Sequence, residues 1–180
     1  LVYLNDLAKF SGLEAEKAVP LRVQEAIDRV LDMQRPDGGF GMWSSSYDDD
    51  ADKFLQVYAI DFLMQAKAKG YVVPEEGLKR ALQYARQIAT DSYNGDSARA
   101  YAFYVLARGG QGQPGDLRYF ADNGGANSDS LIAQGFLGGA LVQAGDRSRA
   151  TVAFTRARTL ALESDLNVLP YYYYGSPLRD

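Results

Sequence analysis

The sequence has no cysteine and no histidine. Those two absences exclude disulfides, thiol and Ser/His nucleophile pairs, and zinc sites built from the usual ligands. They leave the redox compartment open, since a cysteine-free chain suits any of them. Long apolar runs are missing too: nothing approaches the roughly 18 to 20 unbroken residues of a membrane span. The opening LVYLNDLAKF mixes acid and base into an apolar pattern, unlike a signal peptide. Positive charge is in deficit, with 19 basic against 23 acidic residues and a net charge of −4. A broadly basic nucleic-acid face is not expected, and insertion of this segment into a membrane is not expected either.

What is present is enough for a core: 180 residues, 47% hydrophobic and 23% charged, in the range of one compact globular domain. Apolar residues recur every three or four positions and no stretch alternates long enough for a sheet, so the chain reads as all-α. Pro20 opens a helix ending near Met33, one beginning around Asp52 stops at Gly70, and Pro74 opens one to about Thr90. Asp96 and Ser97 start a helix that Gly109 and Gly110 end, and Asn127 to Ser130 start another ending at Gly145. A last one runs from Asp146 or Ser148 to about Leu162, and a short turn spans Pro114 to Ala121.

The helices alternate in character. VPLRVQEAIDRVLDM, EEGLKRALQYARQIA and RSRATVAFTRARTLAL keep a charged face, whereas FLQVYAIDFLM, ARAYAFYVLA and LIAQGFLGGALV are apolar nearly all round. A helix apolar on every side must be covered on every side, which predicts an inner layer walled by an outer one. The glycines at 70, 109 and 145 recur about every 36 to 39 residues, near the period of helical-hairpin repeats. Gly135, Gly138 and Gly139 crowd one apolar helix and predict close backbone approach by neighbouring inner helices.

Five local patterns invite a closer reading. Gln34, Asp37, Gly38, Gly39, Phe40, Gly41 and Trp43 lie in a Gly-rich string that also holds Pro36, and they predict a structural turn clasping two helices, with Phe40 and Trp43 as apolar plugs. Asp48, Asp49 and Asp52 spell D-D-x-x-D, the spacing with which isoprenoid cyclases and prenyltransferases hold magnesium diphosphate; with Asp50 they are also four acids just before a helix, which simply cap it. Leu137, Gly138, Leu141, Ala150 and Phe154 match part of a tetratricopeptide pattern, but it occurs once and without the leading Trp and closing Pro, so local hairpin packing explains it better. Tyr171, Tyr172, Tyr173 and Tyr174 form an aromatic cluster suited to an interface. Arg147, Arg149, Arg156 and Arg158 read as a solvated outer face.

The string QRPDGGFGMW, then FLQVYAIDFLMQAKAKGYVVP and finally YYYGSPLRD, in that order, resemble the thioester-containing domain of bacterial alpha-2-macroglobulins. The opening LVYLNDLAKFSGL resembles the helix following that family's Cys-x-Glu-Gln motif. The resemblance implies an α/α toroid, with residues 1–180 forming a single domain that is part of its ring. It also implies a protease trap in which a Cys thiol and a Gln side chain condense into a buried thioester that acylates an attacking protease. Neither thioester residue is present; the resemblance places both upstream of Leu1. The His that complement-type relatives use to take over the acyl group is also missing, so no catalytic residue carries over. The implied reading is a non-enzymatic scaffold needing no metal or cofactor. Its partners would be the other domains of a parent inhibitor and, through the parent, target proteases. The place implied is the periplasm, which allows anchoring of the parent to the inner membrane as a lipoprotein. A ring segment would expose apolar inner faces, so self-association is expected and is read by light scattering across concentration.

Overall fold

A computed structural model describes residues 19–41 and 50–167. They form seven α-helices and one short 3₁₀ turn, and no strand occurs among the described residues. The helices are α1 (Val19–Asp32), α2 (Asp50–Ala68), α3 (Glu75–Thr90), α4 (Asp96–Arg108), α5 (Pro114–Asp122), α6 (Leu131–Gln143) and α7 (Arg147–Asn167); the 3₁₀ turn is Gly125–Asn127.

The two layers expected from the alternation are both there. Helix α4 packs between α2 and α6, forming an inner row, while α3 backs α2 and α4, and α7 backs α6. Of the thirteen residues of α4, seven are buried, including Tyr101, Phe103 and Leu106, because it has neighbours on both flanks and behind. Helix α3 instead buries a single stripe that includes Leu78, Ala81, Tyr84, Ala85 and Ile88, at the three- and four-residue spacing of an outer helix. The core runs through both layers, from Val23 and Ile27 of α1 to Leu137 and Leu141 of α6.

Each inner helix ends the same way. The amide after a left-handed glycine reaches back five residues: Tyr71 to the Ala66 carbonyl (3.1 Å), Gln111 to Leu106 (2.8 Å) and Asp146 to Leu141 (2.8 Å). The glycines carrying the positive φ are Gly70, Gly110 and Gly145. This is the Schellman stop, which satisfies carbonyls that the helix leaves open. Gly109, expected as a terminator, has an ordinary φ and is small for another reason: a side chain there would run into the Met64 methyl. The crowding expected of three glycines in α6 is also narrower than read. Gly138 lies against the Phe154 ring of outer α7 and Gly139 against Tyr104 of inner α4, but Gly135 faces open space.

Two further departures have physical causes. Helix α7 runs to Asn167, five residues past the expected stop, because no Gly or Pro interrupts the sequence before Pro170. The 3₁₀ turn was not read from NGGANSDS. It is fixed from the inner row, where buried Gln134 donates through its amide nitrogen to the carbonyls of Gly125 and Ser128, each at 2.9 Å.

Candidate functional site: the inter-helix clasp and the inner polar cluster

After α1 the chain turns back on itself through residues 33–41. The Arg35 amide donates to the Gly39 carbonyl at 2.7 Å and the Gly38 amide to the Arg35 carbonyl at 3.0 Å, closing a tight loop. Gly38 has φ +95°, a value ordinary residues avoid, and a β-carbon added there would overlap the backbone carbonyl of Arg80 on α3. Gly39 sits below the Arg35 guanidinium and the Tyr84 ring, where an added methyl would come within 2.7 and 2.9 Å of them.

Side chains then fasten the loop to two helices. Gln34 donates to the carbonyls of Gly38 (3.2 Å) and of Gly77 on α3 (2.9 Å) and accepts from Arg80 at 2.9 Å. The fully buried Gln56 of α2 grips Phe40 with both ends of its carboxamide, accepting from the Phe40 amide at 2.6 Å and donating to its carbonyl at 2.7 Å. Phe40 itself is completely buried, plugging the space beneath the turn. Outside, Asp37 receives the Arg35 guanidinium at 3.2 and 3.3 Å and the Gly39 amide at 3.0 Å. Tyr84 takes hydrogen bonds at its hydroxyl from Arg35 (3.3 Å) and Lys53 (3.1 Å). The clasp thus ties α1, α2 and α3 together through polar groups turned on backbone.

Partial burial pushes the Asp37 carboxyl upward, but the bonds from Arg35 and the Gly39 amide outweigh it and hold the group below its ordinary value. A depressed folded value contributes stability that is complete above the unfolded carboxylate range, about pH 4, and is lost as pH falls through the lower folded value. Asp37→Asn is therefore expected to flatten the acid limb of a urea-midpoint against pH profile while leaving its neutral plateau flat. An unchanged acid limb would rule out this linkage.

A second polar cluster lies within the inner row. Asp61 of α2 is buried, yet it is ion-paired with Arg108 of α4 and accepts from Tyr101 at 2.9 Å and Gln65 at 2.8 Å. Burial first, and the neighbouring Tyr58 and Tyr104 phenols second, push Tyr101 up to about 12, so it remains a proton donor to Asp61. Tyr101 also stacks on Phe136 of α6 with ring centres 4.1 Å apart, and Arg108 lies over the Tyr104 ring. The cluster stitches all three inner helices. Sequence reading passed over Asp61, Gln65, Tyr101 and Arg108, although Gln56 and Asp61 are the polar exceptions in the apolar stretch FLQVYAIDFLM, which is the signal of a buried group needing partners. Arg108→Leu is expected to lower unfolding stability by about 2 kcal/mol, less than for a fully buried pair because Arg108 keeps 30% of its side chain exposed. The double change Asp61→Leu with Arg108→Leu should recover most of that loss in urea denaturation; additive losses would contradict the pairing.

On the outer face the arginines are not merely solvated. Arg149 of α7 grips Asp122 of α5 with two 2.8 Å bonds and Asp146 with one of 3.0 Å, and Arg156 pairs with Asp129. Arg147 and Arg158 are exposed as expected. Asp48, Asp49, Trp43 and Tyr171, Tyr172, Tyr173 and Tyr174 lie outside the described residues, and Asp52 falls in the first turn of α2. Among the described residues no three acidic groups converge as metal ligands would. Gly138 against Phe154 shows the tetratricopeptide-like residues to be a local packing contact between α6 and α7.

No family model matches the chain. Alpha-2-macroglobulin of Escherichia coli strain K12 is 31% identical over 173 residues, covering 88% of this chain and 10% of the relative. Alpha-2-macroglobulin of Xylella fastidiosa strain Temecula1 is 31% identical over 170 residues, with the same coverage. The crystal structure of trypsin-activated alpha-2-macroglobulin from Escherichia coli superposes with a TM-score of 0.74 at 27% identity, over 88% of this chain and 12% of that one. The chain spans about a tenth of the length of the curated relatives it matches. These findings support neither the prenyl-diphosphate nor the tetratricopeptide alternative. The sequence likeness and the shared helical fold together make this chain homologous to a helical segment of the bacterial alpha-2-macroglobulins.

Proposed function

We propose that the chain is the scaffold of a thioester-containing domain in a bacterial, alpha-2-macroglobulin-like protease trap, and that it is itself non-catalytic. The observation that carries this reading is the extent of the likeness along the chain: 88% of it aligns in sequence with the Escherichia coli protein, and the same share superposes on its trypsin-activated structure. The geometry is of the kind a scaffold needs. Clasp, inner cluster and outer arginines join successive helices through hydrogen bonds and ion pairs that are directed inward or along the helix ends. A rigid helical frame of this sort can hold a reactive acyl group dry in a parent until a conformational change exposes it to an amine.

On this reading residues 1–180 are one domain, part of an α/α toroid, placed in the periplasm with the parent. Its partners are the parent's other domains and, through the parent, target proteases. Apolar side chains on the inner row stay exposed, among them Tyr58 of α2 and Leu131, Ile132 and Val142 of α6, so the isolated chain self-associates. Incubated alone with trypsin or methylamine, the chain should gain no covalent mass by intact-protein mass spectrometry. A stoichiometric adduct would overturn the non-catalytic reading.

A further inference from the structure

The ends of α2 and α4 and the flank of α3 enclose a groove made of two adjoining depressions, about 500 and 550 Å³, that share Lys67, Leu78, Leu82 and Gln111. Its charge runs against that of the molecule. Lys67, Lys69, Lys79, Arg86 and Arg108 line it, opposed by only Glu75 and Glu76, in a chain whose net charge is −4. Its floor is aliphatic, from Met64, Leu78 and Leu82.

Two of these cations are held in place. Arg86 donates to the Gln111 carbonyl at 3.3 Å, while its Nε is buried with no hydrogen-bond partner; Arg108 is pinned by Asp61. Lys67 reaches Glu75 at 3.5 Å, in an exposed pair that a better-placed carboxylate can displace. Three cations on α3 and the end of α2 beside the side chains of Met64, Leu78 and Leu82 suit a peptide segment that carries both acidic and apolar side chains. No aromatic ring lines the groove, so it lacks the stacking platform that single-stranded nucleic acid uses.

We propose that this groove is a docking surface for an extended acidic peptide segment of another polypeptide, its carboxylates on Lys79 and Arg86 and its apolar side chains on Leu82 and Met64. Nothing in the proposal depends on the protease-trap reading. The test is fluorescence anisotropy of the full 180-residue chain. The probe is a fluorescein-labelled peptide of about ten residues alternating Glu and Leu. Saturable binding that weakens with salt is expected, with about a tenfold loss in Lys79→Glu with Arg86→Glu. A control of equal charge on α7, Arg147→Glu with Arg158→Glu, should stay within about twofold, and a Glu-Ser probe should bind about fivefold more weakly than Glu-Leu. If the first double variant loses its helical signal, Lys79→Gln with Arg86→Gln replaces it. Absence of binding up to about 1 mM would overturn the proposal. So would equal losses in the groove and control variants, or tighter, groove-dependent binding of a thymidine oligonucleotide.

Discussion

Replacing Gln56 by Leu is expected to remove about 4 kcal/mol of stability, the largest effect of any single change considered. The side chain is fully buried and satisfies both the amide and the carbonyl of Phe40. Leu fills a similar volume, so little cavity is made. Both backbone groups of a buried residue are instead left without partners, at about 1 to 3 kcal/mol each. For a chain of this size the loss corresponds to a fall of roughly 10 °C in melting temperature. Gln56→Glu should be tolerated better at acid than at neutral pH, because a protonated carboxyl both accepts and donates, whereas an ionised one cannot donate to the Phe40 carbonyl and is costly to bury. A loss below about 1 kcal/mol for Gln56→Leu would mean that the clasp comes away from α2 without disturbing the rest of the fold.

Gly38→Ala should cost about 3 kcal/mol, from two separable sources. Positive φ alone costs a residue with a β-carbon about 1 to 2 kcal/mol. The remainder comes from overlap of the new methyl with the Arg80 backbone carbonyl, which cannot swing aside as a side chain would. Gly70 separates the two, because it shares the positive φ, at +86°, but has nothing within 4 Å of where its methyl would go. Gly70→Ala is thus expected to show only the backbone part, and urea denaturation of both variants reads the difference. Equal losses at the two sites would remove the contact with α3 from the account.

The helices were legible because they are punctuated locally. Gly70 and Gly145 stop helices and Pro74 precedes one, through chemistry confined to a few residues. The inner and outer layers were legible for a related reason: ARAYAFYVLA has no face to offer water, while EEGLKRALQYARQIA has one. The site was less so. Gln34 reaches Gly77 and Asp61 reaches Arg108 across 43 and 47 residues, and no periodicity carries a partner's position over that distance. Asp61 could be marked as needing a partner, because a carboxylate inside an apolar helix is otherwise too unfavourable, but the partner could not be named. Gly109 and Gly110 both stand at the end of α4 as expected, but a crowded glycine and a left-handed glycine look alike until the φ of Gly110 and the Met64 methyl against Gly109 are seen.

The central claim is that this helical frame does the work of the corresponding segment in an alpha-2-macroglobulin. The direct measurement is a chimera of the Escherichia coli protein in which the aligned segment is replaced by residues 1–180 and covalent capture of trypsin is followed by mass spectrometry. The chimera is expected to retain trypsin-dependent capture. A chimera that keeps its helical signal and melting transition yet forms no covalent trypsin complex, beside an unmodified protein that does, would contradict it.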